Sequence, residues 1–268
     1  MKRNDVNAPT GDNKTRTAVH GLLDGKFSQP DQVDMRDFIT PEYVVANLDR
    51  MGEGYNRLLA RVEHRDITKE WKLPLKDGSL HPFEDWDVIA ERIRSNPDLQ
   101  RKIAALVTNS ECLPFVCPDL SGASVGHVTG AIKREYPKME CDFRPEGRMQ
   151  SFGASSGPNV EEGQKIGCVF IDNGDQVPQE TLELSAHQLD AIFASQGYTM
   201  TSVNNRAMMR LGLDKDVNCL LGETTSGGWL FYSQSSPSTE LRFGTTEPKT
   251  PGNRFSGARR QLRVNADS

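Results

Sequence analysis

The sequence predicts an α+β fold: a helical N-terminal half packed on a mixed sheet with a central strand–helix–strand unit. Three observations carry this. Helical periodicity dominates residues 40–108. Residues 139–244 mix strand and helix patterns without the regular alternation of an α/β chain. Residues 165–203 hold an apolar run, a capping box and a second apolar run in succession.

Residues 1–30 are polar, rich in Asn, Thr, Asp, Lys and Gly, and are expected to be a disordered segment. Thr40 followed by Pro41 reads as an N-cap with proline at the first helical position. Val44, Leu48, Met51, Tyr55, Leu58 and Val62 then recur at spacings of three and four, the stripe of a long amphipathic helix. Gly52 and Gly54 fall inside it, each costing about 1 kcal/mol against alanine, so a kink is expected there. Asp77-Gly78 between two short apolar strips predicts a hairpin over 71–80. Trp86, Ile89 and Ile93 share one helical face. Asn96-Pro97 caps a further helix, whose stripe is Leu99, Ile103, Leu106 and Val107.

Residues 124–136 read as a helix, and 139–144 and 148–152 as strands. Residues 153–163 form a small-residue loop suited to a mobile surface segment. The run IGCVFI over 166–171, closed by Asp172-Asn173-Gly174, reads as a buried strand. Ser185 and Gln188 form a capping box, with Leu189, Ile192 and Phe193 on one face and Gly197 as the stop. Residues 198–203 read as the returning strand and 206–211 as a short helical turn. Residues 217–221 and 228–232 follow as strands, with a possible edge strand over 241–243. Trp229, Leu230, Phe231 and Tyr232 make both faces of their strand apolar, as in a buried strand. The expected organisation is one α+β domain over 31–244, with 245–268 a loosely attached, basic, Pro/Gly-rich tail.

Net charge is −5 over 268 residues, yet residues 248–264 carry Lys249, Arg254, Arg259, Arg260 and Arg263 and no acid. Taking those five cations away leaves the remainder at −10. Such a run can bind an anionic partner or dock on its own acidic body. No apolar run reaches the length of a membrane span. The charged N-terminus has no apolar block behind it, so a Sec signal is not expected. These features place the chain in the cytoplasm, or outside the cell by a route without a cleaved Sec signal.

Five cysteines stand at 112, 117, 141, 168 and 219, with no CxxC and no zinc spacing. Their mostly apolar settings suit reduced core thiols. No loop carries GK[ST] and no strand–GxGxxG–helix occurs, so no cofactor is expected. Asp172 and Asp175 flank a turn that could hold a divalent cation, and Asp214-Lys215-Asp216 has the DxD form.

Two functional classes follow. The first is a macromolecule-binding protein acting on a protein partner. Its supports are a polar N-terminus, an amphipathic helical half, a flexible Gly/Ser loop and a basic tail; the polar N-terminus resembles that of effectors exported by bacterial contact-dependent secretion. The second is a papain-like thiol hydrolase, a protease or deamidase. Cys112 would be the nucleophile, His187 its base and Asn205 (or Asn204 or Asp214) the group that orients the imidazole. Cys117 with His127 is a further pairing of that kind.

Overall fold

A computed structural model describes residues 39–63, 83–107, 112–121, 150–151, 165–174, 177–212, 219–224, 230–235, 241–246 and 257–265. All belong to one compact unit, Arg36–Ser268. The expected disordered segment 1–30, hairpin 71–80, helix 124–136, strand 139–144 and loop 153–163 lie outside these residues. So do the side chains of the strand around Phe231.

Helices lead. α1 (Pro41–Ala46) starts at Thr40, whose hydroxyl accepts from the Tyr43 N–H at 3.4 Å. α2 (Leu48–Glu63) follows directly. The break between them falls at Asn47 rather than at the glycines. Asn47 leaves the helical region, and its side-chain amide donates to the Tyr43 carbonyl at 2.9 Å, closing α1. α2 runs on through Gly52 and Gly54, burying Leu48, Met51, Tyr55, Leu58 and Leu59. α3 (Trp86–Ser95) and α4 (Pro97–Ala104) meet at Asn96, whose side chain accepts from the N–H groups of Asp98 and Leu99. Their stripes, Trp86, Ile89, Ile93 and Leu99, Ile103, are buried as the periodicity predicts.

Among the described residues, the mixed α+β character is set by eight strands: β1 (Phe115–Pro118), β2 (Gln150–Ser151), β3 (Cys168–Ile171), β4 (Thr199–Met200), β5 (Cys219–Thr224), β6 (Leu230–Ser235), β7 (Leu241–Thr246) and β8 (Arg260–Val264). They form two four-stranded sheets, ordered β1-β3-β8-β4 and β2-β5-β6-β7, and every named pair is antiparallel. A parallel bridge between Phe83 and Ile166 ties the start of α3 to the first sheet. Nearby, Tyr55 donates its hydroxyl to the Glu84 carbonyl at 3.0 Å, and Arg92 grips the Glu84 carboxylate with two bonds.

α5 (Ala186–Ser195) has the full capping box at Ser185 and Gln188. It ends in a Schellman turn. Gly197 takes φ +78°, the Tyr198 N–H donates to Phe193 and the Gly197 N–H to Ala194. The returning strand stops at Met200, shorter than the pattern implied. The Ser202 hydroxyl accepts the Asn205 N–H at 3.1 Å, and α6 (Val203–Gly212) starts there as a ten-residue helix.

The largest departure from expectation is at the C-terminus. Residues 257–265 are not a loose tail. β8 lies between β3 and β4, so the two strands that flank α5 are not neighbours. Gly257, Ala258, Leu262 and Val264 are buried. A charged run reads as solvated when scanned in one dimension; here Leu262 and Val264 are buried, and Arg259, Arg260 and Arg263 find internal partners.

The two α2 glycines differ in their surroundings. A Cβ at Gly52 would lie 2.3 Å from the Trp86 indole nitrogen, whereas one at Gly54 meets nothing within 4 Å. Gly52→Ala should therefore destabilise by about 1–3 kcal/mol through overpacking. Gly54→Ala should stabilise by about 0.4–1 kcal/mol through helix propensity and the unfolded chain. Urea denaturation of the two variants should give midpoint shifts of opposite sign.

Candidate functional site

Asn205 sits in the first turn of α6 and is completely buried. Its amide nitrogen lies 3.1 Å from Asp119 Oδ1, 3.1 Å from Ser121 Oγ and 3.0 Å from Gln261 Oε1. Its oxygen accepts the Leu120 N–H at 3.0 Å. These contacts already exceed what one carboxamide donates, and His187 is not among them. Asn205 thus stitches α6 to the end of β1 and to β8. Cys112 is half-buried just ahead of β1, while His187 is exposed in the first turn of α5. α5 packs beside β4. β1 and β4 are the opposite edges of one sheet, three strand spacings or roughly 14 Å apart. Cys112 thus precedes one edge strand, His187 lies on the helix that leads into the other, and Asn205 belongs to a network with Asp119, Ser121 and Gln261. Cys117 is fully buried, and burial pushes its thiol up; His127 and Asp214 lie outside the described residues.

The basic run is turned inward where it is described. The Arg259 guanidinium, 1% exposed, donates to the carbonyls of Asp172 and Gly174 at 2.6 and 2.7 Å. Arg260 stacks its guanidinium over the Tyr198 ring at 5.6 Å and lies 3.8 Å from Asp172. Arg263 Nε is 2.8 Å from Asp119 Oδ2 but off the hydrogen-bonding direction, so that contact is coulombic. Docking on the chain's own carboxylates is the outcome for these three. Arg259, Arg260 and Arg263, three of the five cations proposed to hold an anionic partner, thus pair with Asp172 and Asp119, and Lys249 and Arg254 lie outside the described residues. Asp172-Asn173-Gly174 is an Asx turn, with Oδ1 accepting the Gly174 N–H at 2.9 Å. Its carboxylate faces guanidinium groups rather than a cation site. Among the described residues no three of His, Cys, Asp or Glu come together as metal ligands, and no helix is long and apolar enough to cross a membrane.

The feature with the character of a binding site is a pocket of ≈ 210 Å³ between α2, β1 and the end of α6. The apolar stripe of α2 turns Met51, Tyr55 and Leu58 towards β1. One position round the helix, Arg50, Gly54, Arg57 and Arg61 succeed each other at spacings of four, three and four on a neighbouring face. The three arginines are exposed and form the rim. Leu113, Phe115 and Val116 supply buried apolar wall from the other side. Gly212 belongs to the wall for a steric reason: a Cβ there would lie 2.5 Å from the Phe115 ring.

Three donors that line the pocket are engaged within the protein. Tyr55 donates to Glu84, Asn173 Nδ2 donates to the Leu113 carbonyl at 3.2 Å, and Arg61 donates to the Leu211 carbonyl at 2.5 Å. Burial raises the Tyr55 hydroxyl well above its ordinary range, so it stays protonated. No Asp or Glu lines the pocket among the described residues. An apolar floor under a rim of guanidinium groups suits an amphipathic anion.

Two measurements check the electrostatics and the network. Asn205→Ala should destabilise by about 1–3 kcal/mol, because it leaves the Leu120 N–H and the Gln261 and Asp119 oxygens buried without that partner. Asp172 is held above the usual aspartate range by burial, against the pull of the Gly174 N–H, Arg259 and Arg260. A carboxyl raised in the folded state keeps its proton longer there than in the unfolded chain. Stability from Asp172 should therefore fall as pH rises from the ordinary value near 3.9 to the folded value, and level off above it. In urea titrations across acid pH, the wild type should lose stability relative to Asp172→Asn through that window.

No protein-family model matches this sequence, and neither a curated protein nor a solved structure does.

Proposed function

We propose that the protein works by binding a protein partner, and that it does so by taking an acidic segment of that partner into the pocket beside α2. The observation that carries this reading is the exposed arginine rim with no carboxylate in the lining among the described residues. The chain as a whole carries −5, so three arginines gathered on one helical face concentrate positive charge against an acidic body. Guanidinium groups pair with carboxylates through planar, bidentate hydrogen bonds, which lysine cannot reproduce. The apolar floor lowers the local dielectric next to the rim and strengthens each such pair.

The test uses the full chain and a short fluorescein-labelled glutamate-rich peptide, read by fluorescence anisotropy. Binding should weaken as salt is raised, because rim pairs are screened. Arg57→Glu should weaken it by about tenfold, equivalent to about 1.4 kcal/mol, with thermal stability unchanged because Arg57 is exposed. Binding that ignores both salt and Arg57→Glu would sink the proposal.

A further inference from the structure

We infer that the pocket selects its acidic partner by a side-chain anchor: one large apolar residue, aromatic or leucine-like, carried between two acidic residues of an extended segment. The inference rests on the binding reading above and deepens it.

Gly54 lies midway along the arginine stripe, four residues after Arg50 and three before Arg57. Space beyond its Cα is open for 4 Å in the direction a side chain would take. Any larger residue would project into this opening. The missing side chain therefore makes a gap in the rim, through which the floor of Met51, Leu58 and Phe115 can be reached.

The floor offers little to a polar occupant. The Tyr55 hydroxyl already serves the Glu84 carbonyl. The pocket, ≈ 210 Å³, is large enough to hold water. A water over such a surface finds fewer than its usual hydrogen-bond partners. Displacing it with an apolar group is favourable, whereas displacing a well-bound water is not. Buried, desolvated aromatic anchors ringed by polar contacts are the common form of an interface hot spot.

Helix geometry then sets the spacing. At ~1.5 Å per residue, Arg50 lies roughly 6 Å along the axis from Gly54, Arg57 roughly 4.5 Å and Arg61 roughly 10 Å beyond it. An extended chain advances ~3.3 Å per residue. Carboxylates about two residues before and two to three after the anchor would meet the rim. The occupant is thus an acidic residue, a spacer, the anchor, one or two spacers and a second acidic residue.

The experiment compares three labelled peptides by anisotropy with the full-length protein. The first has glutamates flanking a central tryptophan at this spacing, the second replaces the tryptophan with alanine, and the third replaces the glutamates with glutamine. Two variants are used, Gly54→Leu, which fills the opening, and Arg57→Glu. The expected result is at least tenfold weaker binding of the alanine peptide. Gly54→Leu should reduce the tryptophan peptide to the alanine level while leaving its salt-dependent binding in place. Equal binding of the tryptophan and alanine peptides to the wild type, with both sensitive to Arg57→Glu, would overturn the anchor and leave the acidic-partner reading standing. Tight binding of the glutamine peptide, or of neither acidic peptide, would overturn both.

Discussion

The antiparallel pairing of β3 with β8 is the constraint on which the rest of this structure depends. β3 is completely buried and has partners on both sides, β1 and β8. Its backbone groups need both neighbours, because an unpaired buried N–H or C=O has no water to turn to. Residues 260–264 supply the second neighbour. They also carry Gln261, which faces Asn205, and Arg263, which faces Asp119. Next to β8, Arg259 closes the turn after β3 by donating to the Asp172 and Gly174 carbonyls. Residues from the last dozen of the chain thereby organise a sheet whose other strands begin at Phe115.

Around that sheet the molecule separates apolar packing from polar stitching. Alternation puts Phe115, Ile171 and Gln261 on one face, and Val116, Phe170 and Leu262 on the other. Phe170 meets Trp86, whose ring centroid is 6.5 Å away, and Trp86 in turn lies over Gly52 of α2. Gln261 meets the amide of Asn205 on α6. α6 is buried from Val203 to Leu211 despite carrying two asparagines and two arginines. Such polar groups are tolerated in a core where hydrogen bonds meet them, and a satisfied network fixes one register where an apolar contact would accept several.

The pocket is a by-product of the same packing. α2 turns its apolar stripe to β1, so the adjacent face, with its arginines, hangs over the sheet edge. Glycine at 54 leaves space beside the wall, and glycine at 212 lets the end of α6 pack against Phe115. The three arginines and Gly54 are readable in the sequence as one helical face. They carry no special mark there, because cations beside an apolar stripe are ordinary on a surface helix. What makes them a rim is the apolar wall of Leu113, Phe115 and Val116, more than fifty residues further on. The residues that the sequence does mark lie on different elements: Cys112 ahead of β1, His187 in α5 and Asn205 in α6.

What the sequence determined by itself was local. The Thr40, Asn96 and Ser185 caps act within three residues of themselves, the helical stripes within a few turns, and Gly197 within its own turn. The α+β class follows from their order. The tertiary structure decided the partners of β3, the inward docking of Arg259, Arg260 and Arg263, and the role of Asn205. It also decided that the α1–α2 break falls at Asn47 while Gly52 stays helical beneath Trp86. The physical reason is separation along the chain. Leu120 and Asn205 are 85 residues apart, and Arg259 lies 87 from Asp172. A short window shows a basic run or a polar helix start. Which buried carbonyl or carboxylate each group will satisfy appears when the sheet brings the distant segments together.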